Sequence, residues 1–190
     1  MYYISRFIYW CLFKIFFRFQ VIDSENEIIE DRLIIASNHL SNLDPPVLAA
    51  ALKQEIHFLG KSELFKNPVL GWYIRQHNTH PIKRGKGDSG AIKQCIRIIQ
   101  DGHALVVFPQ GTRGGNWENA GDGAAFLARK TGAKVLPMKI TGSDIILPPG
   151  RILPGLFTGL SVKIGTALQI GASEDIKTFT QRLSDAIQNL

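Results

Sequence analysis

The sequence has few cysteines, and it lacks several patterns that would assign it to common classes of protein. Its two cysteines, Cys11 and Cys95, show no metal or redox spacing, so we expect reduced thiols in a protein that faces the cytosol. The absence of a Gly-x-Ser-x-Gly pattern argues against the serine nucleophile of an α/β-hydrolase. The basic residues form no dense tract and no nucleic-acid-binding motif is present, so we expect no nucleic-acid partner.

The sequence also lacks an uninterrupted run of about 20 apolar residues, which a membrane-spanning helix requires. Residues 1–21 are the most aromatic stretch, but Arg6, Lys14 and Arg18 interrupt them, and no small-residue cleavage site suggests a secretory leader. On a helix these cations fall within about one third of the circumference, and apolar side chains cover most of the rest. We therefore predict an amphipathic helix in the membrane interface. A helix packed against its own domain and a shallow insertion are the alternatives.

What the chain does contain is enough apolar material for one folded domain with a basic surface. It has 190 residues, of which 45% are hydrophobic, and its 22 lysines and arginines exceed its 16 acidic residues to give a net charge of +6. This length suits a single domain with a substantial core. The positive charge favours anionic partners, such as anionic lipids or phosphorylated substrates.

Short apolar runs alternate with helical patterns along the chain. The predicted strands begin near residues 34, 56, 81, 104, 134 and 162, and the predicted helices near residues 45, 68, 88, 122 and 176. This alternation predicts a single α/β domain with a mixed, largely parallel sheet flanked by helices. Residues 145–160 are apolar but interrupted by proline and glycine, which predicts a loop and not a helix.

A histidine and an aspartate follow the first of these strands, five residues apart. His39 lies in the polar turn, and we expect Asp44 to cap a helix that begins at Pro45. The two side chains can meet only if the loop folds back, because residues five apart on a continuous helix diverge by roughly 140°. A carboxylate bound to one imidazole nitrogen would leave the other as a general base. A helix cap beside a surface histidine is the alternative.

Basic residues follow three other predicted strands. Lys61 lies after the strand at residues 56–59, Arg84 lies in a turn of lysines and glycines, and Arg113 closes the loop after residues 104–108. Loops at the carboxyl ends of strands hold the ligand sites of open α/β sheets, and arginine is a bidentate donor for phosphate. The alternative is that Lys61, Arg84 and Arg113 lie in ordinary solvated loops and bind no ligand.

Four segments resemble, in the same order, the sequence blocks of the 1-acylglycerol-3-phosphate acyltransferase (lysophosphatidic acid acyltransferase) family of membrane-bound glycerolipid enzymes. Residues 38–44 match the family's signature of a histidine and an aspartate separated by four residues, and residues 80–84, 108–113 and 135–138 resemble the other three blocks. The resemblance implies a glycerolipid acyltransferase domain at residues 22–190, behind a membrane-association helix at residues 1–21.

The resemblance also implies roles for individual residues. His39 and Asp44 would be catalytic, with His39 as the base that activates the acceptor hydroxyl for direct attack on an acyl thioester. The substrate's phosphate would be held by Lys61, Arg84 and Arg113, and the substrate would be positioned by Gln110, Gly111 and Thr112. The implied substrates are lysophosphatidic acid and either acyl-CoA or acyl-acyl carrier protein, with no metal or other cofactor. The implied location is the membrane surface, peripheral or monotopic, with the active site facing the cytoplasm.

One residue departs from the family's pattern, which has glutamate where this chain has Gln110. Glutamine keeps an acceptor oxygen but loses the charge and adds donors, so a structural hydrogen bond could persist but an essential carboxylate could not. This departure leaves other acceptors open, namely glycerol 3-phosphate or another lysolipid. A non-catalytic lipid-binding protein and a membrane-associated hydrolase are further alternatives.

Overall fold

The protein is described here from a computed structural model that covers residues 1–82, 89–148, 150–151, 153–155 and 158–190. Within these residues the strands are β1 (Gln20–Ile22), β2 (Leu33–Ser37), β3 (Ile56–Lys61), β4 (Thr79–Ile82), β5 (Ala104–Val107), β6 (Lys134–Thr141) and β7 (Ser161–Ile164). The α-helices are α1 (Tyr2–Phe17), α2 (Asp44–Ala51), α3 (Pro68–Arg75), α4 (Ser89–Gln100), α5 (Gly123–Thr131), α6 (Ser143–Ile146) and α7 (Ile176–Gln188). Short 3-10 helices lie at Ser24–Asn26, Ser62–Lys66 and Trp117–Asn119.

The described strands form one sheet in the order β1-β7-β6-β2-β5-β3-β4. Strands β2 to β6 are parallel to one another, whereas β7 runs antiparallel to β6 and carries β1 at the edge. The predicted α/β domain with a mixed, largely parallel sheet is therefore confirmed. Because the five parallel strands share one direction, the loops that follow them meet at a single edge of the sheet.

Helices cover both faces of the sheet, and the alternation of side chains along each strand divides the core in two. In β2, Leu33 and Ile35 pack with α1 and α2, while Ile34 packs with α4, α5 and α7. Every residue of β2 is buried, as expected for a central parallel strand covered on both faces. The terminal helix contributes Phe179, Leu183 and Ile187 to the second core.

The N-terminal helix α1 has an apolar inner face as well as an apolar outer one. Tyr2, Phe13 and Phe17 are buried against the domain, and the Tyr2 hydroxyl accepts a hydrogen bond from the Ile56 amide at 3.1 Å. Arg6 lies on this inner side and donates to the Lys53 carbonyl, so it is not grouped with the outward cations as the helical projection suggested. Within the described residues, no helix has both the length and the apolar character needed to span a bilayer.

Two short elements differ from the sequence-based expectation. Strand β1 pairs in parallel with β7, so residues 20–22 belong to the sheet although the predicted N-terminal helix extended to residue 21. Helix α6 ends at Ile146, inside the segment that proline and glycine led us to predict as loop from residue 145. Both elements are only three or four residues long, and periodicity carries little information over so short a length.

Candidate active site

The loop that follows β2 folds back, so that His39 meets Asp44. The His39 Nδ1 atom lies 2.7 Å from Asp44 Oδ2, and the His39 ring stacks on Phe108 with centroids 4.2 Å apart and an interplanar angle of 16°. Phe108 follows β5, the strand next to β2. The predicted pair is thus brought together at the carboxyl edge of the sheet, with the imidazole fixed on one side by a carboxylate and on one face by an aromatic ring.

Asp44 does not cap its helix in the predicted way. Helix α2 begins at Asp44 itself, Leu43 occupies the cap position, and no side chain there accepts a capping hydrogen bond. Instead Asp44 Oδ2 reaches back into the loop and accepts from the Leu40 amide at 2.6 Å and the Ser41 amide at 2.8 Å. The carboxylate therefore holds the loop in the conformation that presents His39.

A serine at the start of α6 also contacts Asp44, and the sequence analysis missed it. Ser143 Oγ donates to Asp44 Oδ1 at 2.6 Å, and the Asp44 side chain is 0% exposed. Ser143 lies just after β6, so its position after a predicted parallel strand was the signal that could have found it. With the His39 Nδ1–H and two amides, Asp44 has four donors, three on Oδ2 and one on Oδ1.

Further hydrogen bonds fix the loop to β6 and to the segment after α6. Asn38 bonds to both backbone groups of Ile140: its Nδ2 donates to the carbonyl at 2.8 Å, and its Oδ1 accepts from the amide at 2.7 Å. Ser41 Oγ donates to the Leu147 carbonyl at 2.7 Å. These contacts join segments about a hundred residues apart and hold the loop that carries His39 in place.

Gln110 forms a structural link in the loop after β5. Its Oε1 accepts from the His39 amide at 2.9 Å, while its Nε2 donates to the Gly115 carbonyl. In addition, the Gly114 amide donates to the His39 carbonyl at 2.8 Å. A glutamate side chain could make the first contact but, when ionised, not the second, because it has no hydrogen to donate.

The same loop brings a cation to the site. The Arg113 Nη1 atom donates to Asn42 Oδ1 at 2.8 Å, which places the guanidinium beside the loop that carries His39, with the arginine side chain exposed to solvent. Gly111 has a positive φ of 69° and open space around its α-carbon, and Thr112 is exposed. The chain at Gly111 and Thr112 therefore lines an open region beside His39 and Arg113.

The two other predicted phosphate ligands are less closely tied to the site. Lys61 is exposed at the carboxyl end of β3, which lies two strands from β2 along the same edge. Arg84 lies outside the described residues. The geometry thus brings together His39, Asp44 and Arg113, with Lys61 farther along the edge.

The described residues show no cluster suited to metal binding. They contain no group of three or more histidine, cysteine or acidic side chains arranged to hold an ion. Burial raises the pKa of the Cys95 thiol to about 11, so this cysteine is a neutral core residue and a poor nucleophile. The described site offers an imidazole hydrogen-bonded to a buried carboxylate, beside an exposed arginine.

A histidine cluster lies away from this site, on the α4 side of the sheet. The His57 ring stacks on the His103 ring with centroids 4.2 Å apart, and His57 Nδ1 lies 3.0 Å from His80 Nε2. Burial, followed by the charges of His103 and His80, lowers the pKa of His57 to about 4. This cluster therefore bears on stability, and it makes no described contact with His39.

Comparisons with known proteins agree with this geometry. A 1-acyl-sn-glycerol-3-phosphate acyltransferase of Streptococcus pneumoniae is 32% identical over 170 residues, which are 85% of this chain and 61% of that protein. A lyso-ornithine lipid O-acyltransferase of Pseudomonas aeruginosa is 36% identical over 81 residues, which are 42% of this chain and 31% of the relative. This chain thus spans less than two thirds of the length of either relative.

A solved structure has the same fold. The crystal structure of the 1-acyl-sn-glycerophosphate acyltransferase PlsC from Thermotoga maritima matches with a TM-score of 0.73 at 26% identity, covering 90% of this chain and 70% of the other. A family model named Acyltransferase matches residues 18–141, a range that holds His39, Asp44 and the loop from Phe108 to Arg113. With the histidine and aspartate in contact within that range, this chain belongs to the acyltransferase family.

Proposed function

We propose that this chain moves a fatty acyl group from a thioester to the free hydroxyl of lysophosphatidic acid, giving phosphatidic acid. The observation that carries the proposal is the 2.7 Å contact between His39 Nδ1 and Asp44 Oδ2 at the carboxyl edge of the sheet, in a chain of the acyltransferase family. The acyl donor is acyl-CoA or acyl-acyl carrier protein.

His39 acts as the general base in this proposal. With Nδ1–H donating to Asp44, the Nε2 atom is the one left to accept a proton. It takes the proton of the acceptor hydroxyl as that oxygen attacks the thioester carbonyl, and the resulting imidazolium returns the proton to the departing thiolate. The acyl carbon exchanges its bond to sulfur for one to oxygen, so no acyl-enzyme forms. General-base help of this kind is worth about 10²- to 10⁴-fold in rate.

The acceptor's phosphate is held by the cations along the same edge. Arg113 is the central one, because its bond to Asn42 places it beside the loop that carries His39. Lys61 and Arg84 extend the basic edge, and Gln110, Gly111 and Thr112 shape the region where the acceptor lies. Holding the phosphate at a fixed distance from His39 orients the hydroxyl for attack, which can lower the barrier by several kcal/mol, about 7 at best.

The enzyme acts at a membrane surface, since its lipid substrates reside there. Helix α1 supplies the contact, with Ile4, Phe7 and Ile15 among its exposed apolar side chains. It lies in the interface as a peripheral or monotopic anchor, with the active site facing the cytoplasm.

A second acceptor is supported by two observations. The Pseudomonas aeruginosa relative, named for a lyso-ornithine lipid, is 36% identical over its matched segment. Gln110 replaces the glutamate of the phosphate-acceptor family, and it forms neutral hydrogen bonds on both sides. A lysolipid with an ornithine headgroup carries no phosphate, so it would place less demand on Arg113.

A screen with radiolabelled acyl donor tests these proposals. The purified chain is mixed with lysophosphatidic acid, glycerol 3-phosphate or lyso-ornithine lipid, and the labelled products are separated. We expect labelled phosphatidic acid as the main product, and we expect His39→Ala to lower its rate by at least about 100-fold without loss of fold. His103→Asn is the matched control, because His103 is exposed at the start of β5, the opposite end from the site.

The outcomes of the screen separate the alternatives. Free fatty acid alone would indicate a hydrolase, and binding of the lipids without any product would indicate a non-catalytic lipid-binding protein. Wild-type rates in His39→Ala would remove His39 from the mechanism, whatever the acceptor.

A further inference from the structure

Helix α3 is apolar on nearly every side, yet almost none of it is buried. Its sequence is rich in large apolar residues, but Gly71 is its one buried residue. Val69 is 76% exposed and Trp72 54% exposed, and Leu70 and Tyr73 are exposed as well. A helix that is apolar all around is normally covered on most of its surface. The exposure of α3 therefore points to an occupant that is not part of this chain's described residues.

The position of α3 is fixed by the protein backbone, not by burial of its side chains. At Gly71 the chain approaches Phe65 so closely that an added β-carbon would lie 2.8 Å from the Phe65 carbonyl oxygen. Asn67 caps the helix by accepting from the Val69 and Leu70 amides. The structure thus holds the large side chains outward on a fixed support.

Helix α3 approaches α1 through His77 and the half-buried Tyr9. His77 lies between them, with its ring centroid 4.3 Å from that of Tyr73 and 6.0 Å from that of Tyr9. We call the combined apolar area the α1–α3 surface. Its exposed members are Tyr3, Ile4, Phe7, Ile8, Trp10, Leu12, Ile15 and Phe16 from α1, and Leu64, Val69, Leu70, Trp72 and Tyr73 from α3 and the 3-10 helix before it.

The charges around the α1–α3 surface favour an anionic bilayer over a second copy of the chain as its occupant. Residues 1–22 contain no acidic residue, and residues 62–82 contain one, Glu63. Four exposed cations lie in these two stretches, namely Lys14, Arg18, Lys66 and Arg75, while Arg6 bonds inward to the Lys53 carbonyl. A second copy of the chain would set these cations against one another if it used the same surface in a symmetric dimer. A bilayer with anionic headgroups would instead match the cations, and tryptophan and tyrosine favour the interface between headgroups and acyl chains.

We propose that α3 is a second lipid-contacting helix, which docks with α1 on an anionic bilayer. The choice of occupant rests on the proposed acylation of a membrane lipid. The 3-10 helix at Ser62–Lys66 joins α3 to Lys61 at the end of β3, so docking through α3 brings the basic edge of the sheet close to the headgroups. The phosphate group of a lysophospholipid in the bilayer would then lie close to the cations at this edge.

Co-sedimentation with vesicles tests the proposal. The vesicles are phosphatidylcholine, with or without phosphatidylglycerol, and the variant V69S/W72S is compared with wild type. We expect the variant's partition coefficient on anionic vesicles to fall by at least about tenfold, because two large exposed apolar side chains are lost. The control I29S/I92S removes two exposed isoleucines outside the α1–α3 surface and should retain wild-type partitioning.

A second measurement applies if V69S/W72S does not fold. The variant W10F/W117F leaves Trp72 as the remaining tryptophan, and brominated lipids should quench its fluorescence on vesicle binding. The variant W10F/W72F leaves Trp117, which packs against the second core and should be spared. Unchanged partitioning of a folded V69S/W72S, or lack of Trp72 quenching, overturns the proposal. So does a dimer that V69S/W72S converts to monomer while vesicle binding stays intact.

Failure of the lipid-contact proposal can be distinguished from failure of the proposed acyl transfer. Acylation is assayed in parallel in detergent micelles, where docking on a bilayer is not needed, and V69S/W72S should keep the wild-type rate there. If the wild-type protein transfers no acyl group to any acceptor, the proposed function fails, while the vesicle measurements still decide whether α3 contacts lipid.

Discussion

At the scale of single residues, the geometry of Asp44 depends on partners that the local sequence does not reveal. The spacing of His39 and Asp44 allowed their contact but could not require it, because the same sequence is compatible with Asp44 as a helix cap that does not touch His39. The deciding interactions are those with two amides within the loop and with Ser143 at the start of α6, ninety-nine residues away along the chain. A buried carboxylate with such partners can be recognised only after the strands have been placed side by side.

Ser143→Ala should weaken catalysis by misplacing Asp44 without removing it. Loss of the hydroxyl leaves Asp44 Oδ1 without its described donor, so the carboxylate is held less firmly against His39. We expect kcat to fall roughly tenfold, which corresponds to about 1.4 kcal/mol of barrier, with a smaller change in KM. The measurement is steady-state kinetics across a pH range, since a purely structural role would leave the shape of the profile unchanged. Ser143→Thr should restore much of the rate.

Ser184→Ala is the matched control for Ser143. Ser184 is also buried, but its Oγ is one of the side-chain atoms without a hydrogen-bond partner in the described structure. Removing it should leave kcat unchanged. Equal losses in the two alanine variants would contradict the role of Ser143.

Arg113→Ala should act on binding of the phosphorylated acceptor. Arg113 is the cation bonded to the catalytic loop through Asn42, so its loss should raise KM for lysophosphatidic acid by about tenfold or more. The KM for the acyl donor provides the internal control and should change little. An unchanged acceptor KM would remove Arg113 from the phosphate site and would favour an acceptor without phosphate.

At the scale of elements, the sequence predicted the long and buried pieces and missed the short ones. Strands β2 and β5 are almost continuous apolar runs because they are largely buried on both faces, and β6 has a buried apolar run between its two lysines, so all three can be recognised in the sequence. Strand β1 was placed in the N-terminal helix because its pairing partner, β7, lies some 140 residues away. Helix α6 has four residues and begins after Gly142, so no periodic pattern identifies it.

Gly142→Ala should destabilise the turn between β6 and α6. Gly142 has a φ of 91°, and an added β-carbon would lie 2.0 Å from the Gly159 carbonyl oxygen. We expect a loss of more than about 2 kcal/mol in the free energy of unfolding, measured by denaturant titration, together with a loss of activity because Ser143 follows directly. Gly159→Ala is the control, since an added β-carbon there meets open space. Similar stabilities for the two variants would show that the turn is not constrained as described.

At the scale of the whole molecule, the site exists because five parallel strands end at one edge. His39 and Asp44 follow β2, Arg113 follows β5, Lys61 ends β3 and Ser143 follows β6. The sequence predicted the strands and most of these residues. It could not predict which strands are neighbours, and the order in the sheet decides that Arg113 is beside His39 while Lys61 is farther away.

The histidine cluster makes stability depend on pH in a predictable direction. The pKa of His57 is about 4 in the folded chain and near 6.5 when unfolded, so between these values the unfolded chain binds the extra proton. Its contribution to stability is complete above about pH 6.5 and is lost as the pH falls towards 4, with a slope of up to about 1.4 kcal/mol per pH unit. The pKa of His80 is lowered as well, mainly by burial, and acts in the same direction.

Denaturant titrations between pH 4 and 8 test this dependence. His57→Phe keeps a ring between His80 and His103 but cannot bind a proton, so its stability should fall less steeply with acid than that of wild type. The other charged groups that face His57 are Glu55 beside the cluster and Lys93, Arg97 and Asp101 around the adjoining groove. Parallel curves for the two proteins would exclude His57 as the source.

The side-chain amide of Gln110 keeps its hydrogen bonds in the loop after β5 independent of pH, which a carboxyl group at this position would not do. An acid in that place gains or loses a proton as its surroundings change, and its bonds to neighbouring groups would change with it. Gln110 does not titrate, so the bridge it forms between the backbone at residues 39 and 115 persists from acid to alkali. Any acid sensitivity of turnover should then have its origin elsewhere than in loosening of this bridge.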